Sequence, residues 1–175
     1  MARPGSMMAH HFAMLARYNA WANGRLYAAA RTMEADYMAD AGAFFGSMHG
    51  TLCHILVADR IWMHRFTGEG PTYNRLDARP YETLDDLESA RESEDRRILD
   101  FAEGCSGEAL SQTFTYRRVS EPAVPITQRL APALTHLFNH QTHHRGQAHT
   151  ILTALGHEAP ALDLLLFSRE QTRAA

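Results

Sequence analysis

Histidines are concentrated in one stretch, His136 to His149, which holds five of the chain's eleven histidines. Apolar residues recur at three- and four-residue steps around and within it, which predicts a single amphipathic helix. Because a helix turns by about 100° per residue, His136, His140 and His144 fall on one narrow stripe. His149 points to nearly the opposite side, and His143 lies off the stripe. Imidazoles at positions i and i+4 are about 5–6 Å apart at Cβ, so two of them can bind one metal ion.

Two histidines do not complete a metal site. A catalytic zinc centre has three protein ligands and one open position, whereas a structural one has four ligands. The best further donor is His54, because it shares a helical face with apolar residues such as Val57 and Ile61 and a buried imidazole needs a partner. His49 and His64 point elsewhere on the same predicted helix, so we expect them to be hydrogen-bonded or solvated.

Composition bounds the class of protein. With 175 residues, 45% of them apolar, and a net charge of -3, the chain predicts one substantial core, assigned to a single domain over residues 8–170. A pI near 6.4 and dispersed basic residues argue against a nucleic-acid partner. No apolar run reaches membrane-spanning length and no signal sequence is evident, so we expect a cytoplasmic protein without a membrane partner. Residues 1–7 show no periodicity and are interpreted as a disordered lead-in or a cloning remnant.

The elements that must position these histidines follow from periodicity and from capping residues. The pattern predicts four helices, over about 9–31, 47–66, 83–104 and 132–155. Ser47 and Thr83 are the expected N-caps of the second and third helices. Two β-prone segments, 113–118 and 123–127, predict an irregular hairpin or extended loop before the last of these helices.

Two further segments have a simple structural interpretation. The charged residues of the third helix are interpreted as a solvated face with i,i+4 ion pairs. They are Arg91, Glu92, Glu94, Asp95, Arg96 and Arg97. The final apolar segment, 161–167, should pack on the bundle or on another copy of the chain. Tyr18 and Trp21 on the first helix are interpreted mainly as packing residues.

Three segments together resemble the DinB family of YfiT-like metalloenzymes. They are Tyr18–Asn23 (YNAWAN), Gly50–Leu56 (GTLCHIL) and Asn139–Gln147 (NHQTHHRGQ). The resemblance spans nearly the whole chain, and the third segment is its specific part. It implies an all-α four-helix bundle with a long crossover, commonly a homodimer. It also implies a divalent metal ion held by three inward side chains, which match His54, His140 and His144.

Relatives in the wider superfamily use the metal to activate water or a low-molecular-weight thiol, as in mycothiol-dependent maleylpyruvate isomerases and bacillithiol transferases. The resemblance therefore implies a hydrolase or thiol (S-)transferase that acts on a small molecule. Three neutral imidazoles leave a divalent ion with its full charge, which favours activation of a nucleophile. Zinc and nickel are the expected metals, and iron and manganese also bind imidazole. The alternative is a non-catalytic dimeric stress-response protein whose metal is structural.

Several assignments stay open at this point. His136 is a rival to His144 as a ligand, because it lies one turn before His140 on the same stripe. Gln147 either orients a ligand or packs. Arg145 is expected to pair with an acid on another helix or subunit.

The acids do not reveal a general base. Asp59 is expected to pair with a nearby arginine such as Arg60 or Arg65. Asp59 and Glu69 are the nearest acids in sequence. Nearness in sequence does not assign either of them a role in proton transfer.

Overall fold

The computed structural model describes residues 7–174 and is mainly helical. Its helices are α1 (Met7–Arg31), α2 (Met48–Thr67), α3 (Leu84–Gly104), α4 (Gly107–Ser111), α5 (Leu130–Ala154) and α6 (Leu164–Ala174). A 3₁₀ helix spans Glu34–Met38, and two strands, β1 (Thr113–Arg117) and β2 (Pro125–Arg129), pair antiparallel. The predicted lead-in lies outside the described residues except for Met7, at which α1 begins.

The four long helices form a bundle. Helix α1 packs against α3 and α5, and α2 packs against the same two helices, so α1 and α2 occupy opposite corners. The chain therefore crosses the bundle between α1 and α2, and again between α3 and α5. This arrangement confirms the expected all-α four-helix bundle with a long crossover.

Local sequence explains where the helices begin and end. The side chain of Ser47 accepts a hydrogen bond from the backbone N–H of Gly50, and Thr83 accepts one from Asp86, each at 3.1 Å. Both predicted N-caps are therefore confirmed. Helix α2 ends at Gly68, whose φ of 74° is a left-handed conformation that glycine adopts without strain.

The connection between α3 and α5 matches the predicted hairpin and adds to it. The two strands pair from Thr113 with Arg129 to Arg117 with Pro125. The short helix α4, capped by Ser106, was not predicted because five residues carry too little periodicity. Helix α5 begins at Leu130, two residues before the predicted start at Pro132.

The interior has two apolar layers, one toward each end of the bundle. One contains Leu26, Leu52, Leu56 and Leu152, and the other contains Phe12, Ile98, Leu134 and Leu137. Between them lies a buried polar layer to which all four helices contribute. Its members are Asn19, Asn23, Asp59, Arg91, Glu94, Asp95, Gln141 and Arg145.

This polar layer corrects the prediction of a solvated face on α3. Arg91, Glu94 and Asp95 are buried, whereas Glu92 and Arg96 are exposed. Arg91 and Asp95 form an i,i+4 ion pair within α3, as the charge pattern predicts. The pattern alone could not reveal their burial, because Asp59, Asn19 and Asn23, which bind them, lie on other helices.

The last segment packs on the bundle, as predicted. Phe167 of α6 is buried, and its ring centroid lies 5.8 Å from that of Tyr18 and 5.6 Å from that of Trp21. The hydroxyl of Tyr18 donates a hydrogen bond to the backbone oxygen of Leu162 at 2.6 Å. The aromatic residues of α1 thus have the packing role expected of them. Among the described residues, no helix is both long and apolar enough to span a membrane.

Candidate metal centre

Three histidines from two helices bring their Nε2 atoms together inside the bundle. The Nε2 atom of His54 on α2 lies 3.3 Å from that of His140 and 3.1 Å from that of His144, both on α5. His140 and His144 are themselves 3.1 Å apart at Nε2. Among the described residues, these three are the group of potential metal ligands that converges on a single point.

His54 is held by a stacking contact on one face of its ring and by a hydrogen bond at its second nitrogen. Its ring is buried and stacks on Phe45, with centroids 3.8 Å apart and planes 17° from parallel. Its Nδ1 lies 2.8 Å from the backbone oxygen of Leu76. Because a carbonyl oxygen only accepts, Nδ1 carries the proton and Nε2 presents a lone pair to the centre.

His144 is oriented in the same way by a side chain of its own helix. Its Nδ1 lies 2.8 Å from Oε1 of Gln147, and Nε2 of Gln147 in turn faces the ring of His143 at 3.3 Å. The amide oxygen accepts the proton of Nδ1, which again leaves the lone pair of Nε2 pointing inward. Of the two interpretations of Gln147, the structure shows the orienting one.

The environment keeps the three imidazoles neutral. Burial, together with the neighbouring His144, lowers the pKa of His54 to about 4, although the hydrogen bond to Leu76 opposes the shift. Burial lowers the pKa of His140 to about 3, helped by the proximity of His144 and His54. Burial also lowers the pKa of His144. Neutral imidazole is the form that binds a metal ion.

Other histidines lie outside this centre. His136 lies on the wall of an adjoining cavity with its ring centroid 5.8 Å from that of His140, and it packs edge-on against Trp62. It does not join the three converging nitrogens, so it does not replace His144 there.

The second helix also carries two histidines that face elsewhere. His49 Nδ1 is 2.8 Å from the hydroxyl of Tyr37, and His64 Nδ1 is 3.0 Å from the backbone oxygen of Gly70. Both are hydrogen-bonded, as predicted.

The polar layer fixes the two histidine-bearing helices relative to each other. Asp59 on α2 accepts hydrogen bonds from Gln141 on α5 and from Arg91 on α3, the latter at 2.6 Å. Arg91 also forms an ion pair with Asp95 at 3.0 Å. The predicted pairing of Asp59 with Arg60 or Arg65 is therefore wrong, because the α3 arginine reaches it across the bundle.

The layer closes into a ring through α1. Asn19 and Asn23 donate to Asp95 at 3.2 and 3.0 Å, and the guanidinium of Arg145 donates to the side-chain oxygens of Asn19, Asn23 and Gln141. Arg145 bonds amides and not an acid, which corrects the predicted ion pair. The ring contains two acids, Asp59 and Asp95, and two arginines, Arg91 and Arg145. Glu94, the third acid of the layer, pairs with Arg97 at 2.9 Å and with Arg60 at 3.6 Å.

A cavity of about 420 Å³ adjoins two of the three converging histidines. Its wall includes His54 and His140 from the centre, aromatic residues from α2 and β1, and residues of the hairpin. A molecule in this cavity would lie directly beside the converging nitrogens. Cavities of this size bind small molecules.

Sequence reasoning missed two groups that hold His54. The Leu76 oxygen belongs to the backbone of the loop between α2 and α3, so no residue type signals it. Phe45 stands in the irregular segment before α2, where no periodicity indicates its direction. A cavity-lining arginine, Arg65, was considered only as a partner for Asp59.

The fold and the site together define a helical-bundle protein with a candidate metal centre. In it, three neutral imidazoles converge beside a cavity. The DinB family model matches residues 7–174, nearly the whole chain, so the protein belongs to the DinB family. A search among curated proteins gave no significant match.

Proposed function

We propose that the protein binds one divalent metal ion through Nε2 of His54, His140 and His144. The ion would activate water or a thiol for attack on a small molecule in the adjoining cavity. This makes the protein a metal-dependent hydrolase or thiol transferase. The observation that carries the proposal is the convergence of three Nε2 atoms within 3.1–3.3 Å of one another.

The proton positions support a cation at this point. His54 and His144 each direct a lone pair inward, because each Nδ1 donates to an oxygen. Two lone pairs at 3.1 Å repel each other unless a positive charge lies between them. The arrangement of three buried neutral imidazoles is therefore more favourable with a metal ion between them than without one.

The spacing of the nitrogens also supports a metal. For a tetrahedral zinc ion with bonds of about 2.0–2.1 Å, neighbouring ligand atoms are about 3.3–3.4 Å apart. The observed separations of 3.1–3.3 Å require shifts of only a few tenths of an ångström. The three imidazoles have the donor type that zinc and nickel accept.

The surroundings favour a catalytic over a purely structural ion. Within residues 7–174, no fourth histidine, cysteine, aspartate or glutamate joins the three converging ligand atoms. Two of the three histidines line the cavity, so the open side of the centre faces a space for substrate. Three neutral ligands leave a bound divalent ion with its full charge, which lowers the pKa of a coordinated water or thiol toward neutrality.

The chain's own residues supply position and shielding. Leu76 and Gln147 hold the two imidazoles that they contact in one tautomer and orientation. Phe45 covers one face of His54 and excludes water from it. Asp59 belongs to the enclosed polar ring and Glu69 to the exposed end of a loop, so neither acid is assigned a proton-transfer role.

Metal analysis of the purified protein tests the proposal. The wild type should contain about one divalent ion per chain, and His54→Ala or His144→Ala should lose it, since two ligands bind an ion far more weakly than three. His136→Ala is the matched control, because it removes a neighbouring imidazole and should keep the metal.

Unchanged metal content in both ligand variants would exclude the site. A metal-loaded protein should then be screened with ester and thiol-acceptor substrates. Metal without turnover in such a screen would favour the alternative of a structural ion. The expected homodimer, small-molecule substrate and cytoplasmic location stay predictions.

A further inference from the structure

Among the described residues, the formally charged side chains that line the cavity beside the candidate metal centre are all positive. Two arginines, Arg65 and Arg118, lie on its wall, and no aspartate or glutamate is among the described residues that line it. The whole chain carries a net charge of -3, so this local excess of positive charge does not follow from composition. A cleft lined by one sign of charge concentrates ligands of the opposite sign.

Arg65 is held rigidly without an acidic partner. Its guanidinium carbon lies 4.6 Å from the ring centroids of both Trp62 and Tyr116. Its Nη2 donates to the backbone oxygen of Arg117 at 2.9 Å. No carboxylate of the described chain lies within ion-pair distance of it. Arg118, by contrast, pairs with Glu121 at 3.1 Å.

A half-buried guanidinium without a counter-ion is unfavourable in the free protein. Burial lowers the pKa of Arg65, which shows that its charge is poorly solvated. The two rings lie against the guanidinium, and among residues 7–174 its hydrogen-bond acceptor is the Arg117 oxygen, so other N–H groups remain for a ligand. A planar fork of donors in this state is suited to a carboxylate, which it can bind through two parallel hydrogen bonds.

We propose that Arg65 binds the carboxylate of a small organic acid whose apolar body lies against the aromatic wall of the cavity. The wall rings of Trp62 and Tyr116 provide the apolar surface, and the far end of the ligand would face His54 and His140. A small organic acid would be the substrate of the proposed function, and for the reaction this proposal rests on that function. Binding of the acid depends only on Arg65 and the cavity.

Fluorine NMR titration with two probes of the same shape tests the inference. 4-Fluorobenzoate carries the carboxylate, and 4-fluorobenzamide is its neutral counterpart. The titrations use the full chain, once loaded with zinc and once treated with a chelator. In both forms the wild type should bind the acid more tightly than the amide.

Arg65→Gln should weaken binding of the acid about tenfold, the effect of losing a charge-assisted hydrogen bond, and should leave binding of the amide unchanged. The amide thus reports whether the variant retains the cavity. Arg17→Gln is the matched control, since it removes an exposed arginine on α1 that pairs with Glu103. It should change neither affinity.

Equal affinity for acid and amide in the wild type would overturn the inference. So would an acid preference that Arg65→Gln leaves intact, because the carboxylate would then be bound elsewhere. The metal analysis described above is independent of these outcomes. If the protein binds no metal but shows an acid preference that depends on Arg65, the proposed reaction is wrong and the proposed acid-binding site is supported.

Discussion

Gln141 donates a hydrogen bond from its side-chain amide to the carboxylate of Asp59 on the neighbouring helix. Gln141 follows His140 directly in the sequence, and Asp59 lies five residues after His54. The bond therefore ties α2 and α5 together close to the level at which their histidines meet. Any slip of one helix along the other would break both the polar ring and the convergence of the imidazoles.

Loss of Asp59 should destabilise the fold strongly. Asp59→Ala leaves Arg91 buried beside Asp95 alone and deprives Gln141 of its acceptor, so we expect a loss of about 3–5 kcal/mol in the free energy of unfolding. Urea denaturation measures this. The control, Asp77→Ala, removes an exposed acid paired with Arg75 and should leave stability nearly unchanged. Equal effects of the two substitutions would show that the polar ring does not stabilise the bundle.

Loss of Gln147 should weaken metal binding without abolishing it. Gln147→Leu removes the acceptor of the Nδ1 proton of His144, so the tautomer and orientation of that ligand are no longer fixed. Metal affinity should fall about 10–100-fold, as measured by competition with a chelator. Gln171→Leu, an exposed position on α6, serves as the control. An affinity equal to that of the wild type would show that Gln147 only packs.

Two glycine substitutions should have opposite effects. A Cβ at Gly50 would collide with the backbone oxygen of Phe45, which stacks on His54, so Gly50→Ala should lower both stability and metal affinity. A Cβ at Gly24, in the middle of α1, meets no atom within 4 Å. Gly24→Ala should therefore raise stability by about 0.5–1 kcal/mol through its better helix propensity. Thermal melts of both variants distinguish these outcomes, and a harmless Gly50→Ala would contradict the close contact.

Acid should destabilise the metal-free protein through its buried histidines. The pKa values of His54 and His140 are lowered to about 4 and about 3, from 6.5 for the free side chain. Below pH 6.5 the unfolded chain binds protons that the folded chain does not, so stability is full above that pH and falls toward pH 4. Urea denaturation of chelator-treated protein at several pH values measures the slope.

His140→Gln supplies the control for this pH dependence. It removes one of the titrating groups, so its stability should fall less steeply than that of the wild type between pH 6.5 and 4. Identical slopes for the two proteins would show that His140 does not resist protonation in the folded chain.

The sequence predicted those residues of the candidate metal centre whose relative positions follow from their spacing on a helix. His140 and His144 follow from their i,i+4 relation, and His54 follows from its place on an apolar face together with the family resemblance. Gln147, which holds His144, was a candidate from its place on the helix. The groups that hold His54 were beyond prediction, because the Leu76 oxygen is a backbone atom in a loop and Phe45 lies in an irregular segment. The Arg91–Asp95 pair within α3 is an i,i+4 pair of the kind expected. The burial of Arg91 and the partners of Arg145 were misassigned because Asp59 and Asn19, which they contact on other helices, lie 32 and 126 residues away in sequence. Local patterns carry no information about such pairs.

The two-stranded hairpin between α3 and α5 separates two tasks in this molecule. It supplies Tyr116 and Gln128 to the cavity, whereas the three imidazoles stand on long helices anchored by the polar ring. Exchange of the hairpin residues that line the cavity would change the shape of its wall without replacing any residue of the polar ring. The shape of the cavity wall is thus separable from the positioning of the three imidazoles, because the two depend on different elements of the chain.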